Sequence, residues 1–272
     1  MLRFPPRRIL VAVEFSRVSL FAWQAAKEIA ERFGASLEAV WCAGPVASEP
    51  TGLSNISRRP GSSGKVLKRL RARLGPGARL HAVNGDPVFA IRRLARKRAC
   101  DLLVMGVHRR PGLVRWMQGS VAEAIVHDAP CPVLMVPRAW RPPRWILAPV
   151  HEAAYARRGL LAAAILARAY KGRLTALEVV SDPERRAYSA KRLGAQTAKL
   201  PSAMIRDVRP EVEVRVGNPV KEILRAERAR DLVVLVAHRK SLLGDMVLGG
   251  TVERVLRYSR IPVLAIASSH GQ

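Results

Sequence analysis

Short apolar runs alternate along this chain with longer segments whose apolar residues recur every three or four positions. Ile9-Leu-Val-Ala-Val-Glu and Ile146-Leu-Ala-Pro-Val-His are runs of aliphatic residues that read as buried strands. Each precedes an Ala-rich segment with helical spacing, 23–32 in the first half and 159–170 in the second. Further strands are predicted at 36–41 and 173–180. Val83-Asn-Gly-Asp-Pro-Val and Val216-Gly-Asn-Pro-Val then place Gly and Asn or Asp before Pro, which marks a strand-to-helix turn. Pro87 and Pro219 fall in the first helical turn, where a missing N–H is harmless.

The pattern is written twice. Asp101-Leu-Leu-Val-Met-Gly-Val-His-Arg-Arg returns as Asp231-Leu-Val-Val-Leu-Val-Ala-His-Arg-Lys, Gly119-Ser-Val-Ala-Glu as Gly249-Gly-Thr-Val-Glu, and Pro132-Val-Leu as Pro262-Val-Leu, all at an offset of 130 residues. A repeat that keeps register this long implies two homologous domains, expected at 1–140 and 141–272. Each half reads β-α-β, a variable helical stretch, then β-α-β-α-β. Strands alternating with helices predict an α/β fold of two tandem doubly wound domains, each mainly a five-stranded parallel sheet with helices on both faces. Such sheets bind ligands at the strand–loop–helix unit that is repeated here.

Length agrees, since about 140 residues suffice to bury one core. The Pro- and Arg-rich stretch 138–144 is the expected connection, stiff enough that the halves should pack as an intramolecular pseudo-dimer. The Ser-, Gly- and Pro-rich stretch 45–64 is expected to be an exposed loop, and its counterpart 181–197 to be more helical. No apolar run approaches the ~20 residues of a membrane span, and no signal segment is visible. Cys42, Cys100 and Cys131 fit neither a disulfide framework nor metal-ligand spacing, so a reducing cytoplasm is expected. Cys42 and Cys131, at strand ends, read as small core residues.

With these motifs in place the chain resembles the universal stress protein family, whose ATP-binding members carry Gly-x-x-Gly, nine residues, then Gly-Ser or Gly-Thr. Gly106-Val-His-Arg109 and Gly119-Ser120 stand at that spacing, and Val121-Ala-Glu-Ala-Ile-Val-His-Asp-Ala-Pro-Cys-Pro-Val-Leu-Met-Val-Pro follows in the family's style. The resemblance implies a Rossmann-like domain of the adenine nucleotide alpha hydrolase type. It also implies that Ala12, Val13, Glu14, Val40, Gly106, His108, Arg109, Gly119, Ser120 and Val121 would hold ATP, with Mg2+ only where ATP binds. In relatives an Asp after the first strand contacts the nucleoside, and Glu14 stands there. The physical logic is general: glycine lets backbone amides approach phosphate, and Gly119-Ser120 opens a helix whose N-terminal amides favour an anion.

Departures limit the inference. Arg109 replaces the second glycine, although its guanidinium could grip phosphate. In the second half Val236 and Arg239 replace both motif glycines, Gly249-Gly250 lacks the hydroxyl with Thr251 adjacent, and His151 stands in place of the Asp. That site is expected to be degenerate. His108 and His238 occupy matching loop positions and read either as phosphate-side donors or as histidines that bond loop backbone. No Ser-His-Asp, metal-ligand or paired-carboxylate constellation emerges, so no dedicated enzyme is expected, although the resemblance leaves slow ATP hydrolysis open.

Charge adds a second theme. The chain holds 47 Lys+Arg against 21 Asp+Glu, a formal net charge of +26, spread over both halves. Lys65, Lys68, Arg69, Arg71 and Arg73 share one helical face, as do Arg92, Arg93, Arg96, Lys97 and Arg98 on another. Neither cluster contains an acid in sequence, which reads as a solvated face or as a site for an anionic partner. With aromatics at 5%, any nucleic-acid contact would be to backbone rather than by base stacking. The resemblance implies a regulatory or stress-response module that binds an adenine nucleotide in its first half. The alternative is a nucleotide-free scaffold binding nucleic acid, anionic lipid or an acidic protein, and a further homodimer is left open.

Overall fold

A computed structural model describes residues 4–43, 62–108, 121–151, 156–237, 239–242 and 245–267. The chain divides into two compact units, residues 6–139 and residues 140–267, the latter joined by Phe4 and Pro5.

The first unit runs β1 (Arg8–Ala12), α1 (Arg17–Phe33), β2 (Ser36–Cys42), α2 (Ser62–Leu74), β3 (Arg79–Val83), α3 (Pro87–Lys97), β4 (Leu102–Gly106), α4 (Val121–Asp128) and β5 (Val133–Val136). Its strands lie in the order β3-β2-β1-β4-β5, and every neighbouring pair is parallel. Leu10, Val11, Leu103 and Val104 are wholly buried, as strands covered on both faces must be. The Trp23 indole N–H donates to the Leu74 carbonyl at 3.1 Å, tying α1 to α2, while α3 packs on α4. The Ala-rich periodicity alone starts α1 at residue 23, but the helix begins six residues earlier. Ser16 caps it, accepting from the Ser19 amide, and Gly34 closes it in the left-handed region.

The second unit repeats the plan with β6 (Trp145–Pro149), α5 (Ala156–Ala169), β7 (Arg173–Val180), α6 (Arg185–Thr197), α7 (Ser202–Val208), β8 (Glu211–Val216), α8 (Pro219–Ala226) and β9 (Leu232–Ala237). It ends with β10 (Arg239–Leu242), β11 (Asp245–Leu248), α9 (Gly250–Tyr258) and β12 (Val263–Ala267). Strand order is β8-β7-β6-β9-β12, again parallel throughout. The predicted α/β architecture of two doubly wound, five-stranded domains is what the chain adopts. The helix expected within 181–197 is α6. Of the stretch 45–64, residues 45–61 lie outside the described residues and 62–64 open α2.

Matching turns explain matching sequence. Asp86 and Asn218 cap α3 and α8 through side chains that accept from amides of the first turn, with Pro87 and Pro219 just inside. The glycines before them, Gly85 and Gly217, have φ of 103° and 140°, which only glycine adopts readily. One departure stands out. Where the repeat predicts a loop after the fourth strand, the second unit folds β10 and β11 into an antiparallel pair, Arg239 opposite Leu248.

Candidate functional site

In the first unit the strand order reverses between β1 and β4: the chain leaves β1 toward β2 and returns past it to β4. A doubly wound sheet opens a crevice at the carboxyl ends of two such strands. Glu14 follows β1 and His108 follows β4, and Glu14 Oε1 lies 3.0 Å from His108 Nε2. Both side chains stay open to solvent, Glu14 at 59% and His108 at 51%. Ser19 Oγ donates to the Glu14 carbonyl at 2.6 Å, and the Val13 amide donates to the Val40 carbonyl at 2.8 Å, which fixes the floor. Ala12 ends β1, and Val40 and Val13 are buried in that floor. Beside them Arg73 of α2 reaches the Phe15 carbonyl at 3.1 Å and lies over the Phe15 ring at 5.5 Å. This tether joins the basic helix to the rim of the crevice, and no sequence motif pointed to it.

Gly106 has a role that the motif does not express. A Cβ there would stand 2.4 Å from the carbonyl carbon and oxygen of Val18 and 2.7 Å from the Ser19 amide. The glycine lets β4 press against the first turn of α1, so packing alone already requires it. Val121 opens α4 and is half-buried. Arg109, Gly119 and Ser120, the rest of the expected phosphate loop, lie outside the described residues, as does His238.

The second crevice, at the ends of β6 and β9, is built of different groups. His151 is exposed, and the Val150 amide donates to the Leu177 carbonyl at 2.7 Å, mirroring Val13 and Val40. Val236 fills the position of Gly106, and here the glycine has moved to the helix. A Cβ on Gly159 of α5 would meet Val236 Cγ2 at 2.7 Å. Arg239 lies on a strand of the hairpin rather than in a glycine loop. Gly249 precedes α9 without a side-chain cap, Gly250 and the exposed Thr251 begin it, and Glu253 in its first turn pairs with Arg257 at 2.8 Å.

The two basic helices part company. On α2, Lys65, Lys68, Arg69 and Arg71 are exposed and pair with no acid among the described residues, while Val66, Leu70 and Leu74 are buried behind them. On α3 the acid-free reading fails. Asp128, at the end of α4, pairs with Arg92, and Arg96 lies 3.8 Å from the same carboxylate. Arg98 grips Glu38 with bonds of 2.9 and 3.0 Å, and His81 adds another at 2.7 Å. Only Arg93 and Lys97 remain as exposed cations of that face without a described acidic partner. Sequence windows could not find Asp128 and Glu38 because both come from other elements.

Burial pushes the Glu38 carboxyl up, but the bonds and charges of Arg98 and His81 together outweigh it and hold the group below its ordinary value. Burial raises the Cys100 thiol to about 11, with Glu38 and Asp101 adding to the shift. It raises Cys131 to about 12. These thiols remain protonated and unreactive at neutral pH. Cys42 is half-buried at the end of β2 and donates to the Gly85 carbonyl. Among the described residues no group of three His, Cys, Asp or Glu side chains could hold a metal, and no helix is long and apolar enough to cross a membrane.

These features have known counterparts. A universal stress protein of Methanocaldococcus jannaschii is 31% identical over 138 residues, covering 48% of this chain and 81% of the relative. One of Thermus aquaticus is 32% identical over 134 residues, covering 48% of this chain and 98% of the relative. Among solved structures, a universal stress protein from Archaeoglobus fulgidus matches with a TM-score of 0.73 at 18% identity, over 98% of this chain and all of that one. A protein of Pseudomonas aeruginosa described as a universal stress protein matches at 0.66 and 19% identity, over 97% of this chain and 94% of the other. The sequence model of the universal stress protein family fits residues 6–137 and again 144–267. The chain therefore belongs to the universal stress protein family and carries its domain twice in tandem.

Proposed function

We propose that this tandem protein is a stress-response module whose first unit binds an adenine nucleotide at the crevice between β1 and β4, and which acts by changing its contacts without turnover. One observation supports this most: a carboxylate and an imidazole, Glu14 and His108, meet at 3.0 Å at the switch point with their outer faces in solvent. A carboxylate so placed accepts hydrogen bonds from vicinal ribose hydroxyls. The described residues fit the nucleoside end of ATP: Glu14 as acceptor, His108 as a second polar partner, and the Val13–Val40 floor as an apolar seat. The triphosphate would meet Gly106, Arg109, Gly119, Ser120 and Val121, with Mg2+ accompanying it. The second unit, with Val236 and the β10–β11 hairpin in place of that set, binds no nucleotide in this reading.

The test is calorimetric titration of the purified full chain with ATP, alongside mass spectrometry of nucleotide released on denaturation. Saturable binding at one site per chain is expected. Absence of binding at millimolar ATP, with no co-purified nucleotide, ends the proposal.

A further inference from the structure

The outward face of α2 carries a partner chemistry that the nucleotide crevice does not absorb. The helix buries Val66, Leu70 and Leu74 in the core of its own unit, so its apolar stripe is already used. Lys65, Lys68, Arg69 and Arg71 share the opposite arc, all exposed, with no acidic partner among the described residues and no acid in the first turn. Ordinary solvated helices intersperse opposite charges. Four cations within two turns repel one another and are relieved by an external polyanion.

We propose that this face of α2 docks on the phosphate backbone of double-stranded nucleic acid, without reading its sequence. Its charge density matches a duplex, and the face lacks what other partners require. Lys65 to Arg71 spans about 9 Å of helix, over which a duplex presents roughly five phosphate charges, close to the four cations available. No large apolar side chain is exposed on α2, so the face has neither the wedge that anchors an interfacial helix in lipid nor the apolar centre of a protein interface. It also carries no aromatic ring on which an unpaired base could stack. Charge against charge is what remains. The corresponding arginines of α3 are poor candidates, because Asp128 already engages Arg92 and Arg96.

The experiment uses the full chain and a fluorescent 30-base-pair duplex of random sequence, titrated by anisotropy at several salt concentrations. Neutralising four cations predicts a slope of log affinity on log salt near about −3.5, hence a loss of about a hundredfold between 50 and 200 mM salt. The variant Lys65→Gln, Lys68→Gln, Arg69→Gln, Arg71→Gln keeps good helix formers and is expected to remove most of the binding and flatten the slope. A charge-matched control, Lys191→Gln, Lys199→Gln, Arg206→Gln, Lys221→Gln, alters exposed cations of the second unit and is expected to bind nearly as wild type. Equal losses in both variants would assign the binding to net charge and overturn the proposal. So would tighter binding to vesicles of one-third phosphatidylserine than to duplex, or no duplex binding at 50 mM salt. Thermal melts of both variants exclude unfolding as the cause.

Discussion

Glu14 and His108, separated by 94 residues in sequence, close to 3.0 Å across the carboxyl ends of β1 and β4. Both are more than half exposed, so the pair adds under about 1 kcal/mol to stability and its removal shifts the melting temperature by no more than about 3 °C. Binding is a different matter. Loss of a charged acceptor for ribose hydroxyls is worth about 1.5 kcal/mol, so Glu14→Ala is expected to weaken ATP about tenfold in a calorimetric titration. An unchanged affinity would show that Glu14 stands outside the nucleotide's reach.

Gly106 and Gly159 solve one steric problem from opposite sides. In the first unit the strand gives way, since a Cβ on Gly106 would run into the Val18 backbone at 2.4 Å; in the second the helix gives way to Val236. Backbone cannot move aside cheaply, so Gly106→Ala is expected to cost about 1–3 kcal/mol by urea denaturation. Gly159→Ala meets only a side-chain methyl and should cost less. Adding Val236→Ala to it should recover part of the loss, because the clash is removed. A Gly159→Ala penalty untouched by Val236→Ala would refute the exchange.

The repeated aspartates that open the fourth strand of each unit do structural work of the same kind. Asp101 Oδ1 accepts from the Arg7 and Arg8 amides at 2.9 and 2.8 Å, and Asp231 Oδ2 from the Arg144 and Trp145 amides at 2.8 and 2.9 Å. Asp101 is 6% exposed, so Asp101→Ala removes a buried charged acceptor from two amides and should cost about 2–3 kcal/mol. Asp231 is more open, and Asp231→Ala should cost about half as much. Chemical denaturation of the two variants checks the ranking.

Much of this was legible in the sequence because it is local or repeated. Strand runs, the Asp86-Pro87 and Asn218-Pro219 turns, and the 130-residue offset fix the order of elements, and the order places Glu14 and His108 at one switch point. What the sequence hid is contact between distant elements. The Gly motif suggests a phosphate loop at Gly106, yet the tight approach of Val18 is a packing demand that spacing cannot express. Arg92 and Arg96 read as unopposed because Asp128 reaches them from another helix. Val236 reads as simple loss of a glycine, and only the fold reveals Gly159 as its complement. The hairpin β10–β11 was masked by homology to a half in which a loop is expected.

Glu38 makes the first unit sensitive to acid. Its carboxyl is held below the ordinary 4.5 in the folded state by Arg98 and His81 against the opposing effect of burial. A group with a depressed folded value contributes stability that is fully present above its unfolded value. That contribution is lost as pH falls through the folded value. Stability of the wild type should therefore fall as pH drops below about 4.5. Glu38→Gln is expected to be less stable than wild type at pH 7 and to lose less on acidification over that interval. Parallel stability curves for the two proteins would place the acid sensitivity elsewhere.

Arg92 separates stability from binding on the basic surface. Its side chain is 14% exposed, pairs with Asp128, and lies 5.8 Å over the ring of Phe89, which is itself 71% exposed. Reversing this charge would set two carboxylates together at the junction of α3 and α4 and uncover an aromatic ring. Because Asp128 remains partly solvated, the penalty is moderated, and Arg92→Glu should cost about 2 kcal/mol. Its neighbour Arg93 points outward with no described acidic partner, so Arg93→Glu should change stability by less than about 0.5 kcal/mol. The double change Arg92→Glu, Asp128→Lys re-forms the pair in reverse and should recover much of the loss, as a double-mutant cycle would register. If Arg92→Glu proved as harmless as Arg93→Glu, the ion pair would contribute nothing to stability.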